Sequence, residues 1–200
     1  MEIGNRRSSK ERRALAIDAV IDLASGMNPA DITTAAISER MGLTQGALFR
    51  HFPTKDAVLQ AVMESVSERL LSRIDEAVRE ETAPLEALRA IFMAHVGFIE
   101  SNPGVPRLLF SELQRTEETE AKRAVAAFLE ASATRILVQL DEAKKLGLVS
   151  PDICSRSAAM SLVGSVQGLV IQAMLSGRVG DIGAGADGVF AVWRRGVSAA

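Results

Sequence analysis

Tyrosine is absent from this 200-residue chain, tryptophan and cysteine occur once each, and histidine occurs twice. Each scarcity removes options. A single cysteine, Cys154, allows no internal disulfide framework and points to a reducing compartment. Two histidines, His51 and His95, with that lone cysteine leave no metal-ligand spacing and little catalytic equipment. No nucleophile elbow or phosphate loop occurs either. Strand signals are missing too: β-branched alternations are few, and no Asn-Gly or Asp-Gly turn joins two apolar runs. The basic N-terminus runs directly into acidic residues, so no signal peptide is expected.

The charges that are present are unevenly placed. Net charge is −2, and an isoelectric point near 5.8 argues against a protein that coats nucleic acid along its length. Residues 1–60 nevertheless carry net +1 and the remainder −3. That sign allows a basic N-terminal module on an acidic body. One segment lacks charge altogether. Residues 157–177, "SAAMSLVGSVQGLVIQAMLSG", hold Gly164 and Gly168 at the small-residue spacing of closely packed helices. They read as a buried or intersubunit helix, with a membrane span as the alternative; Gln167, Gln172 and the serines count against the span.

Helical periodicity runs almost throughout, so the fold class expected is all-α, with about nine helices. Ser8 or Ser9 can cap a first helix to about Ala24, with Ile17, Val20, Ile21 and Ala24 inward. Thr33 and Thr34 open a short helix that ends at Gly42, and Thr44 opens another that stops before Pro53. Thr54 caps a long fourth helix with an apolar face from Leu59 to Val78. Further helices are expected from Pro84, from Pro106 and from about Glu117, and from the Ser150-Pro151-Asp152 start signal. "GRVGDIGAGADG" reads as the most mobile internal loop, before a last helix over 186–197.

The densest signal is "GLTQGALFRHFPTKD", residues 42–56. Two helical stubs meet at Gly42-Leu43, and Ile37 and Met41 can pack on Leu43 and Leu48. A helix-turn-helix needs this arrangement, because the outer face of its second helix enters the major groove. Gly46 and Ala47 keep that face small, Gln45 can pair with an adenine edge, and Thr44 can cap the helix or touch DNA. Thr34, Arg50, His51 and Lys55 stand where phosphates would pass, and Arg6 and Arg7 form an arm for the backbone or minor groove.

The block from about Lys10 to Met63 resembles the DNA-binding domain of the tetracycline-repressor (TetR) family. Thr34, Ile37 and "MGLTQGALFRHFPTKDAVLQAV" carry the resemblance without gaps. It departs in two places: Phe49 stands where the family usually has tyrosine, and Ile37-Ser38 replaces an aliphatic residue followed by alanine. Ala35, in the same contact region, offers no donor, so base reading rests on Gln45, Ala47 and Thr44.

The resemblance implies a homodimeric, cytoplasmic regulator. A helix-turn-helix domain over residues 1–55 is joined by a linking helix over 55–79 to a helical-bundle domain over 56–200, which binds an effector and dimerises. The implied partners are a double-stranded DNA operator and an unidentified small-molecule effector. No metal, cofactor, catalytic residue or membrane is implied. The last two helices would form the dimer interface, with Gly164, Gly168, Ile171 and Trp193 as candidate contacts. Phe92, His95, Phe110 and Phe128 are candidates for an effector pocket; His95 shares a stripe with Leu88, Phe92 and Ile99, and a histidine satisfied by a backbone carbonyl is the plainer reading. An enzyme remains a third, less favoured reading.

Overall fold

The computed structural model describes residues 8–199. Among them are nine α-helices, two 3-10 helices and no strand beyond an isolated antiparallel bridge between Val149 and Ser198. They form two compact units. One runs up to Val66 and takes in Asn102–Val125; the other joins Ser67–Ser101 to the chain from Ala126 onward. The proposed arm residues Arg6 and Arg7 lie outside the described residues.

In the first unit, α1 (Ser9–Gly26) starts at Ser8, whose hydroxyl accepts from Glu11 N while the Glu11 carboxylate accepts from Ser8 N. This reciprocal capping box satisfies two backbone donors that the first helical turn leaves open. A 3-10 turn at Pro29–Asp31 leads to α2 (Thr34–Arg40) and α3 (Gln45–Phe49). α4 (Lys55–Arg79) follows, with Thr54 accepting from Ala57 N at its start. α6 (Gly104–Leu113) packs on α1 so closely that a Cβ at Gly104 would stand 2.0 Å from Ile21 O. It starts two residues before the expected Pro106. Pro106 still falls in the first turn, where a missing N–H costs nothing.

In the second unit, α5 (Pro84–Ser101), α8 (Ser155–Leu175) and α9 (Ala186–Val197) pack on one another. α7 (Glu120–Lys145) begins three residues later than Glu117, because the Thr119 hydroxyl accepts from Lys122 N and sets the start. Arg135 on α7 forms a two-pronged bond with Asp75 at 2.6 and 2.7 Å, which holds that carboxyl below its usual range.

Two expectations fail here for a shared reason: contacts distant in sequence override local signals. Ser150-Pro151-Asp152 does not start a helix. Ser150 N donates to Val197 O, Ile153 N closes a turn onto Ser150 O, and α8 begins only at Ser155. The glycine-rich connector is not a bare loop either. Val179–Gly185 forms a 3-10 helix whose Val179 and Ile182 are buried against the unit.

Candidate nucleic-acid interface

Local chemistry explains the two short helices. Thr33 caps α2 by accepting from Ala36 N, and Thr44 caps α3 by accepting from Ala47 N. Between them Gly42 has φ +65°, a left-handed conformation that glycine adopts without steric cost. Leu43 N then bonds back to Ser38 O, which closes the end of α2. Ile37, Met41 and Leu48 are buried between the two helices. Ser38 is buried as well, and its hydroxyl donates to Thr34 O, so the serine that replaces alanine has its polar group satisfied.

Burial of Leu48 turns the opposite side of α3 outward. Thr44, Gln45, Gly46, Phe49 and Arg50 are exposed, and Ala47 is half-buried. Ala35 is exposed and Thr34 half-buried at the start of α2. Phe49, at 45% exposure, belongs to this surface rather than to the core, whereas Phe52 is buried.

The cations are partly engaged. Lys55 Nζ donates to Pro29 O and Ala30 O at 3.3 Å each, so it braces the turn before α2. An ammonium has three donors, and the third is left for an outside acceptor. His51 is half-buried, with Nδ1 3.3 Å from Ser9 Oγ, and its carbonyl accepts from Arg13 Nη1 at 3.2 Å. The Arg13 guanidinium also lies 4.6 Å from the centre of the Phe52 ring. Ser9 and Arg13 thus tie α1 to the end of α3. Nothing in the sequence marks that role, since the partners are 42 and 38 residues away.

The candidate effector residues divide. Phe92 packs on Phe190 at 5.6 Å, and the His95 ring lies 5.8 Å from Phe128, all in the second unit. Phe110 is half-buried on α6, which belongs to the first unit. His95 Nδ1 is 2.9 Å from Ile91 O. A carbonyl only accepts, so that nitrogen carries the proton. Burial pushes the His95 pKa down, so the ring is neutral near pH 7. Ser132, one turn beyond Phe128, is buried with no hydrogen-bond partner for its hydroxyl; serine on a helix face gives no warning of this.

The dimer candidates divide too. On α8, Met160, Gly164, Ile171 and Leu175 are exposed, and a Cβ at Gly164 or Gly168 would meet nothing within 4 Å. Val192 of α9 is exposed as well. Trp193 instead lies inside its own unit, where Nε1 donates to Ala158 O at 3.1 Å and Ser161 Oγ at 3.0 Å. It shares the buried stripe of α9 with Phe190 and Val197, and it also lines a surface hollow with Ser165 and Val192. α8 is long and apolar enough to cross a membrane by length and composition. One side of it, from Ala158 through Leu162 and Val166 to Ala173, is nevertheless buried.

A capped helix-turn-helix ahead of a helical unit with an open apolar face defines an all-α protein with a nucleic-acid-reading head. The model of the tetR family of bacterial regulatory proteins matches residues 17–62. A nucleoid occlusion factor SlmA from Alteromonas mediterranea is 32% identical over 133 residues, which are 66% of this chain and 68% of that one. The chain therefore belongs to the tetR family of bacterial regulatory proteins. Solved structures share the fold at lower identity. The regulator FadR from Bacillus subtilis, in complex with stearoyl-CoA, has a TM-score of 0.80 at 16% identity, covering 92% of this chain and 98% of that one. The ketosteroid regulator KstR2 of Mycobacterium tuberculosis has a TM-score of 0.77 at 18% identity, covering 94% and 96%.

Proposed function

We propose that this protein is a cytoplasmic, ligand-responsive transcriptional repressor that binds a palindromic operator as a homodimer. One observation carries the reading: burial of Leu48 leaves Gln45, Gly46 and Phe49 facing outward from a helix capped by Thr44. In the major groove the Gln45 amide pairs with an adenine edge, and Gly46 and Ala47 let the backbone come close. Arg50, the remaining donor of Lys55, His51, Thr34 and Thr44 supply phosphate contacts. The head over residues 1–55 then answers to the domain over 56–200.

The α8–α9 face supports the dimer. Its exposed apolar stripe borders a hollow of about 450 Å³ lined by Ser165, Gly188, Val189 and Val192. A second copy covers that stripe more economically than a membrane does, since the other side of α8 is already packed on its own unit. The effector is an apolar small molecule held near Phe92, His95 and Phe128; a shared fold with a regulator solved in complex with stearoyl-CoA and with a ketosteroid transcriptional regulator supports that class. Release from DNA follows when the effector prefers the DNA-free arrangement, and tenfold release needs about 1.4 kcal/mol of preference.

Gln45→Ala tests base reading. It should weaken operator binding by about 1–3 kcal/mol and leave random DNA almost unaffected. Equal losses on both duplexes would remove Gln45 from that role. A second reading is favoured by the 32% identity to a nucleoid occlusion factor: this chain shares that role. Unchanged transcripts near its bound sites after deletion of the gene would favour it over the repressor.

A further inference from the structure

We propose that Phe49 is a specificity-determining residue that reads the C5-methyl of a thymine, its ring and the notch at Gly46 forming the apolar part of the reading face. The assignment rests on the DNA-binding role given above and adds to it the base that one side chain selects. Phe49 ends α3 and is 45% exposed. Among the described residues no other phenylalanine and no tryptophan is exposed to that degree; Phe52, Phe92, Phe98, Phe190 and Trp193 are buried. Residues three and four apart on a helix are neighbours, so Phe49 lies beside Gly46 and Gln45. Both are exposed, on the side of α3 that burial of Leu48 turns outward. A Cβ at Gly46 would meet nothing within 4 Å, so the space over that glycine is open.

The chemistry of the ring selects its partner. A phenyl group gains from an apolar contact and has no hydroxyl to donate. A phosphate oxygen pressed against it would lose water and gain no hydrogen bond. In the major groove the base edges present ring nitrogens, carbonyl oxygens and amino groups, and the thymine C5-methyl is the one apolar group among them. That methyl fits between the Phe49 ring and the bare backbone at Gly46, while the Gln45 amide pairs with its adenine. Four residues of α-helix rise about 6 Å, close to two base-pair steps of about 3.4 Å. The thymine is therefore expected within about three base pairs of the adenine that Gln45 reads.

The duplex enriched from random DNA by the full-length protein is the probe. Its thymines are replaced by deoxyuridine, one symmetric pair at a time, and affinity is read by fluorescence anisotropy at fixed salt. Deoxyuridine keeps the pairing edge and lacks only the methyl. One pair should weaken binding by roughly fourfold per half-site, as expected for one buried carbon. It should lie within about three base pairs of the position that Gln45→Ala relaxes. Phe49→Ala, checked for folding by circular dichroism, should bind the thymine duplex more weakly than the parent and bind the thymine and deoxyuridine duplexes alike. A ring that only supports the fold would weaken both duplexes by the same factor and leave their difference in place. The proposal is overturned by that result, by a duplex in which no thymine responds to deoxyuridine, or by a response that survives in Phe49→Ala and so belongs to Ala47. Any of these, with an enriched duplex in hand, leaves the DNA-binding reading intact; absence of enrichment overturns both.

Discussion

Replacing Gly164 and Gly168 together by alanine gives opposite results for a free and a covered α8 face. In the single chain a Cβ at either position meets nothing within 4 Å. Both lie inside α8, where glycine costs about 1 kcal/mol relative to alanine. The free subunit should therefore gain about 2 kcal/mol. When a second copy closes over the stripe of Met160, Gly164, Gly168 and Ile171, the added methyls intrude into a packed interface. Overpacking of that kind costs about 1–3 kcal/mol, and each 1.4 kcal/mol is tenfold in dissociation constant. The double variant should thus unfold at higher denaturant as a monomer yet dissociate roughly 5- to 150-fold more readily as a dimer. Sedimentation equilibrium over a concentration series, paired with urea titration of the dissociated chain, reads both quantities. A variant that is more stable and dimerises as tightly as the parent would refute the placement of the interface on this face.

Two other perturbations separate what is inside each unit from what faces outward. Trp193→Phe removes the donor to Ala158 O and Ser161 Oγ; it should cost about 1–3 kcal/mol of subunit stability and leave the dimer constant unchanged, as urea titration and sedimentation will tell. His95 has its pKa lowered by burial from an ordinary 6.5, so the unfolded chain binds the proton first. Stability should fall as pH drops below that value, by up to about 1.4 kcal/mol per pH unit, until the folded-state pKa is passed. In a folded His95→Gln variant that part of the slope should vanish, and its persistence would assign the acid sensitivity to other groups.

What was legible in the sequence was local. Thr33, Thr44, Thr54 and Gly42 act within one helical turn of themselves, so caps, the tight turn and the two short helices could be read without a structure. The outward face of α3 followed from Leu48 by helical geometry alone. What escaped reading depends on partners far along the chain. Ser150 is held by Val197, so a strong start signal yields a turn. Trp193 is held by Ala158 and Ser161, so most of a residue expected at the dimer interface is buried within its own unit. α6 groups with α1 through the close approach at Gly104, a pairing that local sequence does not announce. The burial of Glu112 had no signal at all, since acids are common near helix ends.

The central claim is that two copies of this head, related by a twofold axis, read successive major grooves. Selection of bound duplexes from random DNA by the full-length protein tests it directly. The expected result is a palindrome whose half-sites are centred about one helical turn, or a multiple of it, apart. Gln45→Ala should relax the preference at one matching position in each half. Enrichment of a single unrepeated motif, or no enrichment over random sequence, would contradict it.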